Sequence, residues 1–138
     1  MLLSALLPSC ASFTVTAPMT RLVEVDGYPI RVVTASLNKR SAGEPVVVFE
    51  SGGGSPLETW DSVFVRAAEF APVVAYDRSG TGESPWDGEA PTPTRIAEKL
   101  HRLLAEIGVP PPYVLVGHSW GGALVRYFAG MYREEIVG

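Results

Sequence analysis

A chain of 138 residues, 46% of them apolar and 19% charged, has room for one domain with an ordinary packed core. Its net charge of −4 and the lack of any Lys/Arg stripe exclude the electrostatic footprint of a nucleic-acid binder. The single cysteine, Cys10, excludes an intrachain disulfide and a Cys-based metal cluster, and His101 and His118 are too few and too far apart to suggest a metal site.

Residues 1–19 stand apart from the rest. Met1 to Leu7 is a short apolar run followed by Pro8-Ser9-Cys10-Ala11-Ser12. It resembles the end of a bacterial lipoprotein signal, in which a Leu three residues before a Cys marks the cleavage site. The run lacks a preceding Lys or Arg, so a disordered or mis-started N-terminus is the alternative. The corresponding locations are the cell envelope and the cytoplasm. No stretch approaches the roughly 20 apolar residues of a transmembrane span.

From Thr20 the chain reads as a succession of strands and helices. Thr20 to Val25, the two-residue turn Asp26-Gly27 and Tyr28 to Thr34 predict an antiparallel hairpin at a sheet edge. Asn38 to Pro45 is a polar loop. Val46 to Phe49, Val73 to Tyr76 and Tyr113 to Val116 are apolar runs without alternation, the mark of parallel strands covered on both faces. Between them lie two helical patterns. Trp60 to Phe70 places Trp60, Val63, Phe64 and Ala67 on one face. Thr94 to Ile107 does so with Ile96, Leu100, Leu103, Leu104 and Ile107. Thr92 can cap that helix, Pro93 suits its first position, and Gly108 can end it. Pro110, Pro111 and Pro112 forbid continuation. A last helix carries Ala123, Leu124, Tyr127, Phe128 and Met131 as its stripe. Ile136-Val137-Gly138 looks like the approach to another buried strand, which suggests truncation. The fold class is α/β: an antiparallel hairpin leading into a mostly parallel sheet with helices on both faces.

Two glycine-rich turns carry the chemistry. Gly117-His118-Ser119-Trp120-Gly121 joins the last strand directly to the last helix. So sharp a turn needs glycines two residues either side of the serine, whose hydroxyl is then held proud of the sheet. Helix N-terminal N–H groups there favour developing negative charge. Gly122 allows close packing of helix on strand. The alternative is a turn whose serine merely caps the helix. Glu50-Ser51-Gly52-Gly53-Gly54-Ser55 follows the first parallel strand, and loops at the carboxyl ends of such strands converge on one site. An oxyanion hole takes one N–H from the residue after the nucleophile, here Trp120, and one from this loop. Gly53 is the first choice for the second donor, ahead of Gly52 and Gly54. A Walker loop is excluded because no Gly-Lys-Ser/Thr ending follows.

With Tyr76-Asp77-Arg78-Ser79-Gly80-Thr81-Gly82-Glu83-Ser84 between them, these turns form three landmarks in the order found in α/β-hydrolases. Residues 20–138 resemble the N-terminal portion of that fold. The loop Glu50-Ser51-Gly52 departs from the His-Gly pair of many relatives. The resemblance implies an eight-stranded sheet, five strands of it in this chain, and a serine hydrolase acting on an ester, amide or related acyl bond of a small molecule. It implies Ser119 as nucleophile, with Gly117, His118, Gly121 and Gly122 building the turn, and it implies no cofactor. In this fold the acid and then the histidine follow the serine, and no histidine follows Ser119. The resemblance therefore implies a missing C-terminal half or a complementing chain, and an inactive fragment. A non-catalytic binding module on the same scaffold is the alternative. His118 is expected to pack beneath the turn, His101 to lie at the surface or boundary of its helix, Asp77 to belong to a structural loop, and Trp60 and Trp86 to pack in core and loop.

Overall fold

The structure, a computed structural model, describes residues 17–138. The expectations for Met1 to Ser12, including Cys10, fall outside the described residues. Five strands, β1 (Met19–Val25), β2 (Tyr28–Ala35), β3 (Val46–Glu50), β4 (Val73–Tyr76) and β5 (Tyr113–Gly117), form one sheet in the order β1-β2-β4-β3-β5. β1 and β2 are antiparallel, β2 meets β4 antiparallel, and β3, β4 and β5 run parallel. Asp26 and Gly27 have φ of 54° and 80°, the geometry that an Asp-Gly hairpin turn requires.

Alternation inside the apolar runs gives the sheet its two cores. Val74 and Tyr76 join Val46 and Val48 on one face, against Ala97, Leu100, Leu103 and Leu104 of α2 (Pro93–Glu106) and Phe128 of α3 (Trp120–Met131). Val73, Ala75 and Phe49 join the other, against Leu57, Trp60, Phe64 and Ala67. Each fully buried Val or Leu contributes about 1.5–3 kcal/mol of transfer free energy, so the strands are tied down from both sides. Arg95 N–H donates to the Thr92 hydroxyl at 3.4 Å, Pro93 opens α2, and Gly108 beyond it has φ of 72°.

Three details differ from the sequence reading. The helix expected over Trp60 to Phe70 is a 3-10 turn, Leu57–Trp60, followed by α1 (Asp61–Ala67). So short a helix lays only one row of side chains on the sheet: Phe64 and Ala67 are buried, while Val63 is 50% and Phe70 70% exposed. In α3, Leu124 and Phe128 are buried but Ala123, Tyr127 and Met131 are exposed. The buried stripe of α3 is thus the narrower row Gly121, Leu124 and Phe128. Finally, β5 is only half-buried beyond Tyr113. Its outer edge is partly paired: Val137 N–H donates to Tyr113 O and Leu115 N–H to Gly138 O, each at 2.9 Å, and Ile136 forms a parallel bridge with Tyr113.

Candidate active site

The register of two strands assembles the site. Glu50, the last residue of β3, pairs with Gly117, the last residue of β5, so the loops that leave them start side by side. His118 N–H donates to Glu50 O at 3.1 Å and extends that pairing into the turn. A Cβ on Gly121 would stand 2.2 Å from Glu50 O, and one on Gly117 would stand 2.5 Å from Gly121 O. Real Cβ atoms do not approach backbone so closely. Glycine is required at both positions for reasons of space, and neither has a positive φ. Gly122 is under less demand, since a Cβ there would meet Gly117 O at 3.9 Å.

Ser119 occupies the position between strand and helix with φ 53° and ψ −121°. A non-glycine residue in that region is strained, at a cost of order 1–3 kcal/mol. The Ser119 side chain is exposed and caps no N–H of the helix that it opens. The turn therefore does not exist to let a serine cap a helix. Gly121 N–H bonds to His118 O and Gly122 N–H to Ser119 O, both at 2.9 Å, while Trp120 N–H and Gly53 N–H have no hydrogen-bond partner among the described residues. Gly53 and Trp120 face each other: a Cβ on Gly53 would lie 3.8 Å from Trp120 Cβ. Both line a cleft of about 330 Å³, together with Arg78, Trp86, Asp87 and Lys99. Ser119 does not line it but is next in the chain to Trp120, which does.

Gly52 is buried against His118, its Cβ position 3.2 Å from Nδ1, and Gly54 is exposed with φ of 69°. His118 does not pack beneath the turn. It is exposed, edge-on to Trp60 at 6.4 Å, because the space under the turn is filled by the Gly121–Glu50 backbone contact. His101 is half-buried, stacked on Tyr132 at 4.0 Å and hydrogen-bonded to Glu135 at 3.0 Å. Tyr132 closes the far end of α3, about 18 Å of helix from Ser119 at 1.5 Å per residue. Asp77 is fully buried; it accepts from Leu57 N–H at 2.7 Å, Glu83 N–H at 2.9 Å and Arg31 Nη1 at 3.2 Å, which is structural work. Trp60 is buried and donates from Nε1 to Ser51 Oγ at 3.0 Å. Trp86, by contrast, is 68% exposed at the cleft, carried outward by the loop that follows β4.

Sequence reasoning missed one feature entirely. Glu50 is buried and bound by Arg78 and by the Tyr76 hydroxyl. Burial pushes its pKa upward, against the pull of Arg78, and burial followed by the charge of Glu50 holds the Tyr76 hydroxyl well above its usual range. No group of three or more His, Cys, Asp or Glu side chains among the described residues could hold a metal ion. No helix among them is long and apolar enough to cross a membrane.

A match to the family described as alpha/beta hydrolase fold spans residues 45–138. The chain belongs to the α/β-hydrolase family. It is similar to an esterase of Mycobacterium tuberculosis, 38% identical over 96 residues, covering 68% of this chain and 30% of that protein. It is also similar to the uncharacterised protein YqjL of Bacillus subtilis, 29% identical over 123 residues, covering 89% of this chain and 47% of that one. Among solved structures it resembles epoxide hydrolase A from Mycobacterium thermoresistibile, with a TM-score of 0.74 and 28% identity, covering 87% of this chain and 37% of that one. The chain thus spans less than half the length of each of these α/β-hydrolase relatives, and it corresponds to their N-terminal portion.

Proposed function

We propose that this chain carries the nucleophile half of a serine hydrolase acting on an ester, amide or related acyl bond of a small molecule. The observation that carries the reading is the Ser119 backbone at φ 53° with its exposed hydroxyl left uncommitted. A strained residue whose side chain caps no N–H of the helix it opens calls for a use outside the fold. In this reading the Ser119 hydroxyl attacks the acyl carbon and gives its proton to a histidine, which a carboxylate orients. Trp120 N–H and Gly53 N–H receive the oxyanion; both are unpaired, and the two residues face each other across one cleft.

The acid and the histidine are taken to come from a C-terminal portion or a complementing chain, since His101 lies at the far end of α3 and His118 adjoins the nucleophile. Residues 20–138 are, on this view, part of a domain. Relatives include epoxide hydrolases, but the residue at the turn is a serine, and chemistry through a carboxylate nucleophile needs an Asp there.

Turnover of short p-nitrophenyl esters tests the proposal. The chain alone is expected to show little or none. Joined to a C-terminal portion that supplies an acid and a histidine, it is expected to hydrolyse them at rates ordinary for esterases. Ser119→Ala is expected to lower kcat by about 10⁶, the loss on removing the nucleophile of a triad. Undiminished turnover in Ser119→Ala would overturn the reading.

A further inference from the structure

The loop Gly52-Gly53-Gly54 has three residues without Cβ, and within the loop itself one long turn bond, Ser55 N–H to Gly52 O at 3.3 Å, holds it. Two carbonyls at its start are also held by a buried side chain. The Arg78 guanidinium, buried at 8% exposure, donates from Nη1 to Ser51 O at 2.7 Å and from Nη2 to Gly52 O. It is itself fixed by the Glu50 carboxylate, whose other oxygen accepts from the Tyr76 hydroxyl. Arg78 belongs to the loop after β4, and Glu50 ends β3, so the clamp bridges two neighbouring strands.

A planar trans peptide couples its two ends: if C=O points one way, N–H points the other. Among the described residues only Pro111-Pro112 is cis, so the Gly52-Gly53 peptide is trans. Arg78 draws the Gly52 oxygen toward the buried guanidinium, and the Gly53 N–H is thereby turned away from it. That N–H has no partner among the described residues, and it belongs to an exposed residue that faces Trp120. We infer that Arg78 is the positioning residue of the oxyanion hole: its hydrogen bond to Gly52 O aims the Gly53 N–H, and Glu50 and Tyr76 hold the guanidinium in place. The inference rests on the proposed role of Gly53. A guanidinium suits the task because its planar fork grips a carboxylate and two carbonyls at once, which an ammonium cannot do in the same geometry.

The test uses the full chain labelled with ¹³C-carbonyl and ¹⁵N glycine, so that only Gly-Gly pairs give coupled signals. In Arg78→Met the Gly52 carbonyl carbon is expected to move upfield and the Gly53 amide to shift with it, while the Gly121-Gly122 pair stays in place. Where Arg78→Met does not fold, Glu50→Gln/Arg78→Met replaces it, since no buried charge is then left unpaired. With an acid and a histidine supplied, the same variant is expected to lose about 10²-fold in kcat on p-nitrophenyl acetate with little change in KM, as for removal of one oxyanion donor. Arg78→Lys is expected to recover part of that loss. Unmoved Gly52-Gly53 signals in a folded variant, or an unchanged kcat, would overturn the inference. Ser119→Ala separates the two claims: it is expected to leave the glycine signals in place, and undiminished turnover in it would remove the nucleophile but not the clamp.

Discussion

The α-carbon of Gly121 packs so tightly on Glu50 that a methyl group there would sit 2.2 Å from the Glu50 carbonyl oxygen. This contact seats the first turn of α3 on the end of β3, and it brings the loop after β3 against the turn that carries Ser119. The site is therefore a consequence of backbone-to-backbone packing between two parallel strands and one helix, and its tolerance to change can be measured.

Gly121→Ala is expected to destabilise the chain by about 1–3 kcal/mol, the range for overpacking where backbone must move. Gly130, later in the same helix, has nothing within 4 Å of its Cβ position. Gly130→Ala is expected to stabilise by about 0.5–1 kcal/mol through helix propensity alone. Urea unfolding midpoints of the two variants should move in opposite directions.

Gly82 makes a second such contact, with φ of 52° and a Cβ position 2.2 Å from Asp77 Oδ2. Asp77→Ala strands Leu57 N–H and Glu83 N–H and leaves Arg31 with one carboxylate fewer. A loss of about 2–4 kcal/mol is expected, one to two unsatisfied buried donors' worth. The same variant is expected to retain Ser119 chemistry in proportion to the folded fraction. A loss of kcat at full folding would instead place Asp77 in the reaction.

Asp87 supplies a pH dependence. Its hydrogen bond with Lys99 holds the carboxyl below its usual range, against the effect of burial. A carboxyl whose folded pKa is lowered adds stability above its unfolded value of 3.8, and that stability is lost as pH falls through the folded value. Asp87→Asn should lower stability near pH 7 and flatten the decline below about pH 4. Denaturant midpoints across pH 2–7 for both proteins check this.

Tyr113 gives the alkaline counterpart. Its hydroxyl donates to Val109 O at 2.7 Å, and burial, then the charge of Glu135, pushes its pKa up to about 12. The native state resists ionisation there, so this contribution is complete below the ordinary value of 10.0 and is lost as pH rises through about 12. A spectrophotometric tyrosine titration should show one phase near pH 12 that Tyr113→Phe removes.

Much of the architecture was legible because its signals are local. Asp26-Gly27 specifies its turn by the two φ angles it permits, and Thr92, Pro93 and Gly108 bracket α2 by their own chemistry. The spacing of Gly117 and Gly121 likewise carries the sharp turn within five residues. What could not be read depends on partners distant in the chain. Tyr127 and Met131 look like core by periodicity, yet both are exposed, because burial follows what packs over α3, and that covers only the row Gly121, Leu124 and Phe128. Glu50 reads as an ordinary polar residue until the chain brings Arg78, 28 positions later, onto it. The place of β4 between β2 and β3 is also a tertiary fact, since the apolar runs of all three strands look alike.

Covalent labelling reads the reactivity of the Ser119 hydroxyl itself. The chain, joined to a C-terminal portion that supplies an acid and a histidine, is treated with a fluorophosphonate and its peptides are read by mass spectrometry. A single adduct is expected on the peptide containing Ser119, absent in Ser119→Ala. Labelling of equal extent in Ser119→Ala, or an adduct on Ser51 or Ser55 in its place, would contradict Ser119 as the nucleophile.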